Sequence, residues 1–143
     1  MLPGRDLNSF TIRMGPAVKY LGETKSRFWI GKKLAPSASD DRLGMIWEGT
    51  DNQIGPIASG AEMTAFAGGE LARNAMNAAD PKEYCRNGVE KLYPGFGSER
   101  AADNFTNWPS EDWSLGGYSC PTLGQVTTAA RKLYKADGRL VWA

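Results

Sequence analysis

At 143 residues, with 23% charged side chains and a formal net charge of +1 from 17 basic and 16 acidic groups, the chain has the size and balance of one ordinary globular domain. That balance leaves no electrostatic footprint for nucleic acid or an anionic membrane, since the densest basic group is only Lys25, Arg27, Lys32 and Lys33. Histidine is absent, which excludes Ser-His-Asp and Cys-His nucleophilic designs and leaves Cys85 and Cys120 as the only soft metal ligands, so no metal site is expected.

In chain order, Thr11 to Met14 and Ala17 to Leu21 read as extended segments joined at Gly15-Pro16, because proline fixes its own φ and disfavours helix before it. Trp29-Ile30 closes this region. Lys32 to Arg42, with Pro36 and several serines and aspartates, has the composition of a surface loop. Gly44 to Trp47 is a short buried strand, and Glu62 to Ala67 is another that ends at Gly68-Gly69. Glu70 to Ala78 are good helix formers. Asp80-Pro81-Lys82-Glu83 then combines an N-cap, a proline at the first helical position and a glutamate at the third, so a second helix starts there. Its apolar face is Cys85, Val89 and Leu92, and Pro94-Gly95 ends it. Ser98 to Trp108 is extended or irregular. Val126, Ala129, Ala130 and Leu133 recur with helical spacing until Asp137-Gly138, and Arg139 to Ala143 is a final strand candidate. The pattern is that of an α+β domain with a mixed β-sheet and helices on one face.

Two cysteines without a C-x-x-C motif do not make a disulfide framework, so the preferred reading is two reduced thiols in an intracellular protein; a disulfide-linked secreted domain is the contrary one. Residues 1–15 lack a basic start with an apolar core, and no run approaches the roughly 18 apolar residues of a membrane span. The sequence stops inside the apolar run Leu140 to Ala143, which reads as part of something larger. No G-x-G-x-x-G dinucleotide fingerprint occurs.

Chemistry is suggested by two constellations: Lys19 with Phe28-Trp29 after it, and Trp108 with Gly116-Gly117-Tyr118 after it. Large flat aromatics beside glycine pairs and one cation suit a cleft for a planar cofactor and a cationic substrate. Each has a plainer reading. A strand lysine ordinarily snorkels to water from a sheet edge, tryptophans and tyrosines ordinarily pack, and a glycine pair is ordinarily a turn or bulge. Trp29, Trp47 and Trp113 are assigned to core or interface packing.

Taken in this order, the stretches resemble the flavin-containing amine oxidase family, which includes monoamine, polyamine and L-amino-acid oxidases. Gly15-Pro16-Ala17-Val18-Lys19 with Phe28-Trp29 looks like the family's strand carrying an active-site lysine. Asn107-Trp108, Trp113-Ser114 and Gly116-Gly117-Tyr118 look like the segment that places a tryptophan beside the flavin and a tyrosine in an aromatic cage. Thr64 to Gly69 and Arg139 to Ala143 are similar to further family stretches. The resemblance implies that residues 1–143 are a single, truncated substrate-binding domain of a larger flavoprotein, inactive alone, whose FAD-binding domain is the missing partner. It implies Lys19 as the catalytic residue, Trp108 and Gly117 at the cofactor, and Tyr118 at the amine or amino-acid substrate. In covalently flavinylated relatives a cysteine precedes the cage tyrosine; Gly117 stands there, which implies noncovalent FAD. The competing expectation is a freestanding binding or scaffold module with the same fold and no flavin chemistry.

Overall fold

The computed structural model describes residues 12–50 and 60–128. Seven strands and four helices follow one another: β1 (Ile12–Gly15), β2 (Ala17–Thr24), α1 (Phe28–Gly31), β3 (Ser37–Asp40), β4 (Gly44–Glu48), β5 (Ala61–Gly68), α2 (Gly69–Met76), α3 (Pro81–Leu92), α4 (Phe96–Glu99), β6 (Arg100–Asn107) and β7 (Tyr118–Pro121). Five strands form one sheet in the order β3-β4-β5-β2-β6, and β1 pairs with β7 in a separate two-stranded sheet.

The expected α+β class is the one observed, with the helices packed against one face of the larger sheet. Every pairing among the described residues is antiparallel, however, where a mixed sheet is expected from the sequence. A tight turn dictates this only for β3 and β4, which must run in opposite directions; the other neighbours are distant in sequence and meet through the packing of the sheet. The helix expected over 126–137 and the strand over 139–143 lie largely outside the described residues.

Alternation along β2 decides where the core sits. Val18, Tyr20 and Thr24 are buried, and their β5 partners Ala67, Ala65 and Ala61 are buried with them. Ala72 and Ala75 of α2, Cys85 and Val89 of α3, Phe96 of α4 and Trp29 of α1 complete this core. Small alanines on β5 and α2 let the helices approach the sheet, and Tyr20, Trp29 and Phe96 fill the remaining depth. The start of α3 is as its sequence dictates: the Asp80 carboxylate accepts the Glu83 N–H at 3.0 Å, ahead of Pro81 in the first turn.

One local expectation changes and two open readings are resolved. The polar stretch Lys32 to Arg42 contains β3, an edge strand whose Ser37 and Ser39 are exposed and which exists because it pairs with β4. Trp29-Ile30, which closes the first strand region, belongs to the short α1. Ser98 to Trp108, expected to be extended or irregular, is mostly β6, and a further strand, β7, follows the glycine pair.

A largely buried carboxylate ties α3 to the sheet. Asp103 on β6, whose side chain is only 6% exposed, accepts from Tyr20 Oη at 3.0 Å and Arg86 Nε at 2.6 Å, with Arg100 at 3.3 Å and Lys82 at 3.6 Å. The Arg86 hydrogen bond, aided by Tyr20 and by the positive charge of Arg86 and Arg100, holds the Asp103 carboxyl below its ordinary value against the opposing cost of burial. A depressed carboxylate pKa stabilises the fold above the unfolded-state value and loses that contribution as pH falls through the folded one. Acid titration followed by circular dichroism should therefore show stability declining below about pH 4, and Asp103→Asn should flatten the curve in that window. An identical slope in the variant would contradict this assignment. Burial pushes the Cys85 thiol up to about 12, so it stays protonated at neutral pH; Cys85 and Cys120 are both free.

Candidate active site

The face of the large sheet turned away from the helices carries Lys19, the cation singled out from the sequence. Antiparallel partners point to the same side, so the β2 residues Lys19 and Leu21 share that face with Phe66 and Thr64 of β5, Thr106 and Asn104 of β6, and Met45 and Trp47 of β4. Lys19 is half-buried, and among the described residues its ammonium has no hydrogen-bonding or anionic partner. Its one described contact is the Trp47 ring, whose centroid lies 5.9 Å from Nζ. Trp47, assigned from sequence to ordinary packing, thus stands beside the cation.

Trp108 follows β6 directly, in a short 3-10 turn over Trp108–Ser110, and its ring meets Phe66 at 6.2 Å between centroids with a 55° tilt. Phe66 is the direct β5 partner of Lys19, so lysine, phenylalanine and tryptophan form one group. Tyr118 reaches the same neighbourhood from β7. It pairs with Gly15 on β1, and its ring also lies over Gly68, the residue opposite Ala17 on β5. With 42% of its surface exposed, the ring rests one side on glycine backbone and turns the other outward.

The glycine pair before Tyr118 has a packing cause. A Cβ on Gly116 would lie 2.6 Å from Met14 Cβ, and one on Gly117 would overlap Ala17 Cβ, while the Gly117 N–H donates to the Gly15 carbonyl at 2.9 Å. Side-chain-free backbone at these positions lets the loop lie on the start of β2. Lys19, Trp108, Gly117 and Tyr118 are therefore brought to one side of the molecule.

The other quoted aromatics divide. Trp29 is fully buried in the core, where Nε1 donates to Glu48 Oε2 at 3.0 Å and the ring meets Phe28 edge-on at 5.2 Å. It supports the fold and does not line the lysine face. Trp113 is fully exposed and packs on none of the described residues. Phe66 and Trp47 are the residues that sequence reasoning passed over; strand alternation across β4 and β5 is the signal that assigns them to the lysine side. Among the described residues no group of three or more His, Cys, Asp or Glu could hold a metal ion, and no helix is long and apolar enough to cross a membrane.

Comparison with known proteins agrees with this architecture. Residues 8–143 match the family model for flavin containing amine oxidoreductases. No curated protein matches the chain. Among solved structures, the cyclohexylamine oxidase of Brevibacterium oxydans IH-35A superposes with a TM-score of 0.79 at 18% identity over 96% of this chain. Putrescine oxidase, solved with putrescine bound, gives 0.79 at 15% identity, also over 96% of this chain. The chain spans only 30% and 31% of the lengths of these two proteins, and at such identity the likeness is one of fold. With nearly its whole length matched, the chain belongs to the flavin-containing amine oxidoreductase family.

Proposed function

We propose that this chain is the substrate-binding domain portion of an FAD-dependent amine oxidase, which oxidises an amine or amino acid to an imine and returns the electrons to O2. The observation that carries the reading is a half-buried lysine ammonium without an anionic partner among the described residues, set beside Phe66, Trp47 and Trp108 on the helix-free face of a sheet. A cation held this way is poorly compensated, and attracts whatever negative charge develops in front of it.

The residues fit a planar cofactor and an amine. Tyr118 has one ring face supported and the other open, and Trp108 is half-buried with its ring against Phe66. Trp108 and the Gly117 backbone would lie against the flavin, held without a covalent link because Gly117 stands where linked relatives have cysteine. When bound, the cofactor supplies hydride acceptance from the carbon next to the amine nitrogen and electron delivery to O2. Tyr118 offers its outward π-face to the amine and so orients the carbon–nitrogen bond. Lys19 supplies fixed positive charge where oxygen becomes anionic on reduction.

Stopped-flow separation of the reductive and oxidative half-reactions in the Lys19→Met variant tests the assignment directly. A second check needs no substrate. The 143-residue chain purified alone is expected to be colourless, since it lacks a dinucleotide fingerprint to hold the adenine half of FAD. A yellow, tightly bound flavin would mean that these residues hold the cofactor unaided and that the division into a substrate portion and a missing FAD domain is wrong.

A further inference from the structure

The Tyr118 ring lies where a side chain on Gly15 would otherwise be, and extends to Gly68. A Cβ on Gly15 would fall within the ring, 2.7 Å from Cδ2 and nearer still to Cε2 and Cζ. A Cβ on Gly68 would lie 3.7 Å from Cε1 and from the phenol oxygen, at ordinary contact distance. Gly15 ends β1 and is the direct strand partner of Tyr118, whereas Gly68 ends β5 in the large sheet. The ring therefore bridges the two sheets, and Gly15 is fully covered beneath it. Hydrogen bonds fix the platform: the Gly69 N–H donates to the Pro16 carbonyl at 3.0 Å, and the Gly117 N–H to the Gly15 carbonyl at 2.9 Å.

We propose that Gly15 is a positioning residue that sets how far the Tyr118 ring stands into the amine cleft, and hence the girth of amine admitted. This rests on the reading of Tyr118 as a cleft wall. An aromatic laid across a cross-strand glycine also helps a sheet hold together, and that effect alone would alter stability without altering selectivity. The geometry allows the two to be separated. Alanine at Gly15 forces the ring outward by about 1 Å or more before ordinary carbon–carbon contact is regained, whereas alanine at Gly68 fits the existing space.

In the full-length, FAD-loaded enzyme, Gly15→Ala is expected to raise KM for benzylamine roughly tenfold relative to butylamine, with kcat changed by less than about twofold. Gly68→Ala should leave both near their native values. In a Tyr118→Leu background, which removes the ring, adding Gly15→Ala should have no further effect on selectivity. Independently of activity, the Gly15 Hα resonances should be displaced upfield by the ring and return when Tyr118 is replaced by leucine.

Equal KM changes for both amines in Gly15→Ala, or unshifted Gly15 Hα resonances, would overturn the proposal. Should Gly15→Ala fold poorly, Gly68→Val presses on the same ring from its other end, and an unchanged selectivity there has the same force. If Tyr118→Leu itself leaves KM untouched, the wall reading fails; if Tyr118→Leu shifts KM and Gly15→Ala does not, only the glycine proposal fails.

Discussion

Replacing Lys19 with methionine is expected to slow reoxidation of the reduced flavin by O2 by roughly two orders of magnitude, the size of effect seen when one fixed charge-stabilising group is removed. Methionine keeps an unbranched apolar stem of similar length, so Phe66 and Trp47 retain a neighbour, and what disappears is the ammonium. Reduction by the amine should change little, because hydride transfer leaves no comparable negative charge on oxygen. The expected asymmetry is the discriminating result. Similar slowing of both half-reactions would point to a distorted pocket, and an unaltered oxidative half-reaction would remove Lys19 from the chemistry. The absence of a carboxylate beside Nζ among the described residues is why the effect should be large: Trp47 offers a ring face but no compensating charge.

On the opposite face, Glu48→Ala is expected to cost about 3–5 kcal/mol of folding stability, the range for breaking one partner of a buried ion pair. Glu48 and Arg27 side chains are only 7% and 11% exposed. Arg27 Nε donates to Glu48 Oε1, and Trp29 Nε1 and Thr50 Oγ1 donate to the same carboxylate at 3.0 and 3.3 Å. Alanine would leave the Arg27 guanidinium and the Trp29 indole N–H without their carboxylate partner in a site water scarcely reaches. Urea unfolding of the full chain measures the loss. Replacing the pair together by Arg27→Met and Glu48→Leu should recover most of it, since both charges then disappear. A single-variant loss below about 1 kcal/mol would place this pair with ordinary surface ion pairs.

The parts of this molecule legible in the sequence are those fixed by neighbours along the chain. Asp80-Pro81-Lys82-Glu83 predicts the start of α3 because its cap is closed within four residues. Gly15-Pro16 predicts the break between β1 and β2, and strand alternation predicts β5. What sequence alone does not supply depends on distant partners. Ser37-Ala38-Ser39-Asp40 has no apolar pattern of its own and becomes a strand only through β4. Tyr118 to Pro121 likewise pairs with a strand over a hundred positions away. The site divides in the same way. Lys19, Trp108 and Tyr118 are the candidates that motifs single out, whereas Trp47 beside Lys19 requires the register of β2 on β5 and of β5 on β4.

β2 lies between β5 and β6, with its odd-numbered positions facing the cleft and its even-numbered ones facing the helices. Stability and chemistry are thus written in alternate letters of one eight-residue segment. A slip of a single position would drive the Lys19 ammonium in among Ala72, Ala75 and Val89 and leave Tyr20 facing outward. The irregularity where β6 skips a residue between Glu23 and Thr24 acts as a stop against such sliding. Errors in pairing this strand would be punished twice, as a lost core and as a scattered lysine face.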